Sequence, residues 1–318
     1  MIQLLGRGVA GFALLLVSYI AVGGLMSAAG APKPRGQMLE IEPGRRLRLV
    51  CEGPRSDKPV VWLEAGAFGF AADWGATQEA LTAAGWRSCA YDRAGLGYSP
   101  EGPRPRDGIA IVTDFEKLIA ASGEPGPYIL VGHSMAGLRL REFAGRNPDK
   151  VAGIVLVDAA TPEASQDPRM RGFIDAFATA SRWAARGAAL GLYKPLAHTR
   201  LGDKIDLPPA AKAEKNWAFA NARHNRVSAE EVVLWKTASD QAAAQPPFDP
   251  KWPVAVVTAG PVAGREDRKA MQAAPARQSR HGLVDHVEAA THTLLIGRRF
   301  ADHIVRAVAF VADARDKG

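Results

Sequence analysis

The sequence predicts an α/β fold, a mostly parallel sheet with helices on both faces and a helical cap inserted between two of its strands. Three observations predict it. Continuous apolar runs at 60–64 (VVWLE), 128–133 (YILVGH), 151–157 (VAGIVLV) and 253–260 (PVAVVTAG) read as strands buried on both faces. Segments of helical periodicity separate these runs, and alternating strands and helices select a parallel sheet. The stretch 161–250 breaks the alternation. It has little strand pattern and many alanines, Trp183, Trp217 and Trp235 are spaced among helical segments, and DLPPAA near 206 and QPPFDP near 245 mark breaks.

Taken in order, 45–51 (RRLRLVC) alternates apolar and polar residues and reads as a half-exposed strand. The buried strand 60–64 runs into Ala65-Gly66-Ala67-Phe68-Gly69. Trp74 and Leu81 lie on a helix ending near Gly85, and 86–91 (WRSCAY) is a strand leading into Asp92-Arg93-Ala94-Gly95-Leu96-Gly97-Tyr98-Ser99. The Pro/Gly-rich 99–108 is a loop. Residues 109–121 form an amphipathic helix with Ile111, Val112, Phe115, Leu118 and Ile119 on or near one face. The strand 128–133 ends at Ser134, and a helix follows at once through Leu138, Leu140, Phe143 and Ala144, stopped by Asn147-Pro148. Strand 151–157 ends at Asp158, strand 253–260 returns the chain to the sheet, and 283–289 is a weaker last strand before Ala290-Thr291-His292-Thr293-Leu294 and a closing helix at 300–311. Ligands of such sheets sit beyond the carboxyl ends of the strands. The 65–69 loop, the 92–99 turn, Ser134 and Asp158 all follow strands, so they gather on one edge.

The 318 residues suffice for one large domain plus an insertion. We divide them into a leader (1–36), the first part of the core (37–160), the cap (161–250) and the second part of the core (251–318). The net charge of +7 is carried by dispersed arginines with no nucleic-acid motif, so nucleic acid is not an expected partner. Residues 8–31 carry no charge and would reach ~36 Å as a helix, against a hydrocarbon core of ~30 Å. They read as a signal peptide, with Ser27-Ala28-Ala29 offering small residues for cleavage, or as a retained anchor. The expectation is an exported or membrane-anchored protein, with possible membrane association through 8–31.

The order strand, serine, helix gives meaning to Gly132-His133-Ser134-Met135-Ala136. A sharp turn there strains the serine and pushes its hydroxyl out at the strand end, while its neighbours must be small because the helix and strand backbones nearly touch. Gly132 meets that need, and Ala136 stands where glycine is usual.

With these pieces placed, the chain from about residue 45 to its end resembles the α/β-hydrolases. It looks most like a bacterial subgroup with VVLE-x-G, YDR-x-G-x-G-x-S and LVD, which read here as 61–66, 91–99 and 156–158. The resemblance implies an eight-stranded sheet and a serine hydrolase acting on a carboxylic ester of a small-molecule acyl substrate, without cofactor or metal. It implies Ser134 as nucleophile and His292, which follows the last strand, as base. The acid is Asp158 or Asp267, and Asp158 is favoured. Ala67 and Met135 would supply the backbone N–H donors of the oxyanion hole, with Ala65 where the family has a histidine. His133 is expected to point away from the nucleophile. A thioesterase, lactonase, peptidase or cofactor-free haloperoxidase could use the same residues, whereas an epoxide hydrolase or dehalogenase would carry aspartate at 134. A ligand-binding protein with little turnover is the alternative from another class. Cys51 and Cys89 fall on strands that are neighbours in the family's sheet. Two buried free thiols are expected, with a disulfide sterically conceivable.

Overall fold

The computed structural model describes residues 2–26 and 30–317. Eight strands form one sheet: β1 (Gln37–Glu42), β2 (Arg45–Glu52), β3 (Val61–Glu64), β4 (Ser88–Asp92), β5 (Tyr128–His133), β6 (Val151–Val157), β7 (Val254–Ala259) and β8 (Gly282–Val287). Their order is β1-β2-β4-β3-β5-β6-β7-β8. The β1–β2 and β2–β4 pairs are antiparallel and every other pair is parallel. The mostly parallel α/β architecture expected from the sequence is the one observed. All residues of β3, β4, β5, β6 and β7 are buried, as continuous apolar runs require of strands covered on both faces. The edge strand β1 escaped the sequence reading. Its QMLEIE pattern is exposed or half-buried throughout, so it carries little apolar signal.

The helices are α1 (Ile2–Met26), α2 (Gly75–Ala83), α3 (Gly108–Ser122), α4 (Ala136–Arg146), α5 (Pro162–Gln166), α6 (Pro168–Ala189), α7 (Pro209–Ala220), α8 (Ala222–Val233), α9 (Trp235–Ala244), α10 (Glu266–Gln278) and α11 (Ala301–Arg315). The apolar core lies on both sides of the sheet. One cluster packs Trp74, Phe70 and Leu81 with Ile304, Val308 and Val311 of α11. The other packs Trp62 with Phe115 of α3 and Phe143 of α4. Helix α3 shows how local chemistry sets an element's ends. The Asp107 carboxylate accepts the Ala110 N–H at 2.9 Å, and Gly123 closes the helix in the left-handed region at φ 65°. Helices α5 to α9 all fall between β6 and β7.

Helix α1 lies against this inserted segment, where the Tyr19 hydroxyl donates to the Leu192 carbonyl at 3.0 Å. Among the described residues no helix is long and apolar enough to cross a membrane, so association through residues 8–31 gains no support. The expected cleavage residues Ser27-Ala28-Ala29 lie outside the described residues.

The two cysteines correct the expectation of free thiols. Cys51 on β2 stands directly opposite Cys89 on β4, and the two form a disulfide. The antiparallel pairing of β2 with β4 brings the residues into register, which strand order alone does not determine. The bridge joins positions 38 residues apart, which by loop-closure entropy contributes about 3–4 kcal/mol. Denatured, unreduced protein should therefore show no reactive thiol and reduced protein should show both. The double variant Cys51→Ser, Cys89→Ser should lose that much stability in urea, and a full thiol count without reductant would contradict the bridge.

Candidate active site

Register decides what meets at the sheet edge. In the parallel β5–β6 pair His133 stands opposite Val157, so the next residues, Ser134 and Asp158, leave adjacent strands side by side. Both take left-handed backbone conformations, Ser134 at φ 58° and Asp158 at φ 43°, as does Phe68 at φ 56° in the loop after β3. Such conformations cost on the order of 1–3 kcal/mol each and persist only where surrounding structure enforces them. Here the Ser134 N–H donates to Val157 O at 3.1 Å, and its carbonyl accepts from Ala160 at 2.8 Å and Gly137 at 3.2 Å. A Cβ on Gly137 would meet the Ala160 carbonyl at 2.2 Å, so glycine is sterically required there, while one on Gly132 would meet the end of the Leu140 side chain at 2.7 Å and force that side chain to shift. The Ala136 methyl would stand 3.3 Å from that same Gly132 Cβ, which explains why the elbow accepts alanine at 136 provided that 132 is glycine.

His292 lies in the turn after β8 and folds back to the carboxyl end of β6. Its Nδ1 donates to Asp158 Oδ2 at 2.6 Å. The other Asp158 oxygen accepts from Gln272 Nε2 at 2.9 Å and from the Ala259 N–H at 3.3 Å. Burial works against charge on this carboxyl, but the hydrogen bonds from His292, Gln272 and Ala259 outweigh it and hold the group well below the usual carboxylate range. The alternative acid, Asp267, is exposed in the first turn of α10. Ser134, Asp158 and His292 line one cavity. Among the described residues, neither the Ser134 hydroxyl nor His292 Nε2 has a hydrogen-bond partner.

His133 joins the site through the base. Its ring lies 4.5 Å from that of His292, and its Nε2 donates to the His292 carbonyl at 2.9 Å. A carbonyl only accepts, so Nε2 carries the proton. Burial, then the neighbouring His292, push His133 far below the ordinary histidine range, so it stays neutral. Gln272 and His133 both escaped the sequence reading as partners of the site, because their contacts join a helix and a turn to strand ends more than a hundred residues away.

The loop after β3 approaches from the other side. A Cβ on Gly66 would come within 2.7 Å of the Ser134 Cβ, so only glycine allows this approach. The N–H groups of Ala67 and Met135 have no acceptor among the described residues. Met135 is buried just ahead of α4, where the helix dipole adds partial positive charge. The carbonyls of the loop are heavily engaged. Arg93 Nη1 donates to Ala65 O at 2.8 Å and Nη2 to Gly66 O at 2.9 Å. Arg139 also donates to Ala65 O and, at 2.6 Å, to Glu64. Phe68 O accepts from Lys215 Nζ at 3.1 Å and His224 Nε2 at 3.3 Å.

The cavity measures about 830 Å³, and its walls are mainly apolar, with Met170, Phe177, Tyr193, Leu201, Trp235 and Met271 among them. Most of these residues come from the inserted segment. Its polar contribution includes Lys215, paired with Asp73 at 2.8 Å, and His224. The His224 ring is fully committed: Nδ1 accepts the Gly97 N–H at 3.0 Å while Nε2 donates to Phe68 O. Burial, then the charge on Lys215, push its pKa down to about 3. Among the described residues the one metal-like grouping joins the disulfide cysteines and Glu124, whose sulfurs are already spent.

The alpha/beta hydrolase fold family model matches residues 58–268, and the chain belongs to this family. It is 36% identical over 122 residues to "Probable transporter efuK" of Hormonema carpetanum, covering 36% of this chain and 17% of that protein. It is 37% identical over 94 residues to "Esterase PIR7B" of Oryza sativa subsp. japonica, covering 28% of this chain and 34% of the relative. The matches thus span well under half the length of these curated relatives. A thermophilic esterase from Thermogutta terrifontis superposes with a TM-score of 0.61 at 19% identity, covering 88% of this chain and all of that one, a likeness of fold.

The buried histidine makes stability depend on pH. His224 is neutral when folded, but once unfolded it protonates below about 6.5. The unfolded state therefore binds more protons between about pH 6.5 and about 3, and stability falls as pH falls through that window. The slope approaches about 1.4 kcal/mol per pH unit for each such histidine. Urea denaturation at pH 7 and pH 5 should show this loss, and His224→Asn should show a smaller one. An equal loss in both proteins would contradict the assignment.

Proposed function

We propose that this chain is a serine hydrolase that cleaves a carboxylic ester by two-step acyl transfer, with Ser134 as nucleophile, His292 as general base and Asp158 as the acid that orients it. The observation that carries the reading is the 2.6 Å hydrogen bond from His292 to a buried Asp158, beside a strained serine on the same cavity. In this reading His292 Nε2 takes the Ser134 proton as the hydroxyl attacks the ester carbonyl. Asp158 holds the resulting imidazolium through Nδ1. Charge developing on the carbonyl oxygen is met by the N–H groups of Met135 and Ala67, which are unspent in the resting protein. Collapse expels the alcohol, which takes its proton from His292, and water then releases the acid by the same steps in reverse order.

The apolar cavity favours an uncharged, moderately large acyl or alkyl group. The rice relative's name, esterase, agrees with ester cleavage. A thioester or lactone would use the same groups, whereas epoxide or haloalkane opening calls for a carboxylate at 134. We further read residues 161–250 as the cap over the site and 1–36 as a leader that exports the chain.

Ser134→Ala should lower kcat by ~10⁶ if the three residues act as a unit, and wild-type protein should take up one fluorophosphonate at Ser134. Asp158→Asn should lower kcat by about 10⁴, leaving the wrong tautomer at His292, while Asp267→Asn should stay near wild type. Normal turnover by folded Ser134→Ala, or a larger loss at Asp267 than at Asp158, would overturn these roles. Acyl esters of graded chain length would then map the cavity.

A further inference from the structure

Arg93 is 1% exposed and its guanidinium is shared by two parts of the molecule. One edge faces α8, where Nε lies 3.1 Å from both Glu231 oxygens and Nη2 lies 2.9 Å from Oε2. The other edge faces the loop after β3, through the bonds to Ala65 O and Gly66 O, and Nη1 also reaches Glu64 at 3.0 Å. A guanidinium is planar and its donors are fixed in a fork, so seating one edge on a carboxylate sets the direction of the other. The peptide joining Gly66 to Ala67 is planar, and its C=O and N–H point opposite ways. Drawing Gly66 O towards Arg93 therefore turns the Ala67 N–H away from Arg93, and Ala67 lines the cavity beside Ser134.

We propose that Arg93, seated by Glu231 of the inserted helices, is the positioning residue that aims the Ala67 N–H at the reacting carbonyl oxygen, so that the oxyanion donor is in place only while α8 is docked. This rests on the hydrolase reading above and extends it to regulation of the same site. It gives the inserted segment a second task besides shaping the cavity. Binding that seats α8 fixes the aim of the donor, and an opening that carries Glu231 away leaves Arg93 on Glu64 and the loop carbonyls alone, with Gly66 O still accepting the Gly69 N–H at 3.2 Å.

The test uses Glu231→Gln, which keeps size and one acceptor but removes the charge that seats the fork. Glu230→Gln on the same helix is the control. Glu230 pairs with Arg104 and Arg226 at the surface and touches nothing in the loop. A donor displaced by a fraction of an ångström costs about tenfold to hundredfold in rate. For Glu231→Gln we expect a kcat loss of that size with KM within about twofold of wild type. The affinity of a trifluoromethyl ketone, whose serine adduct carries the oxyanion, should weaken by the same factor. Glu230→Gln should match wild type. If Glu231→Gln does not fold, Arg93→Lys decides, because lysine keeps the charge but cannot grip Glu231 and Gly66 together, and the same loss is expected. A folded Glu231→Gln or Arg93→Lys protein with wild-type kcat overturns the proposal, as does an equal loss in Glu230→Gln. Wild-type protein that cleaves no ester and takes no fluorophosphonate at Ser134 sinks the hydrolase reading and the proposal together. A labelled, active protein with an unaffected Glu231→Gln variant sinks the proposal alone.

Discussion

The site depends on two parallel strands ending level with each other. Because β5 and β6 pair with His133 opposite Val157, the first residues past their ends, Ser134 and Asp158, are fixed as neighbours before any side chain is chosen. The ladder continues past the strand ends, with the Asp158 N–H donating to Val257 O at 2.7 Å and the Ser134 N–H to Val157 O. Those bonds, with the glycines at 132 and 137, hold both residues in conformations they would not adopt alone. A shift of one residue would reverse which face each side chain points to, so the site inherits its precision from the sheet.

A second layer of constraint is electrostatic. The chain buries Arg93 against Glu64 and Glu231, and Arg48 against Asp92 and Glu214. Buried ion pairs are weak sources of net stability, since desolvation opposes the attraction, but leaving one partner alone is strongly unfavourable. Both networks join a core strand end to the inserted helices α7 and α8. Each ties one inserted helix to the core at a defined point through directional bonds.

Much of this was legible in the sequence, and the unread parts share a cause. The buried strands announced themselves as apolar runs, and the serine turn was readable because strand, small residues and helix follow one another locally. Glu64 and Arg93 stood out as members of VVWLE and YDR, but their partnership did not, since it closes over long sequence separations with Glu231 as the third member. The disulfide depended on the β2–β4 register, and the exposed strand β1 lacked apolar contrast. The choice between Asp158 and Asp267 needed the path of the chain after β8. The contact of the His133 ring with His292 went unread because backbone alternation places its side chain on a face but says nothing of a turn arriving from 159 residues away.

One further consequence follows from Asp158 standing beside His292. The connection from β7 into α10 supplies no carboxylate to the imidazole. Its residues from Pro261 to Arg265 are mostly exposed, and Gly260 and Gly264 turn it at φ 80° and 74°. That connection is an exposed seam just ahead of Arg268, Met271 and Gln272 of α10, which line the cavity. Extra residues or a fluorescent reporter can be spliced there, close enough to sense the chamber while leaving the sheet and its elbow untouched.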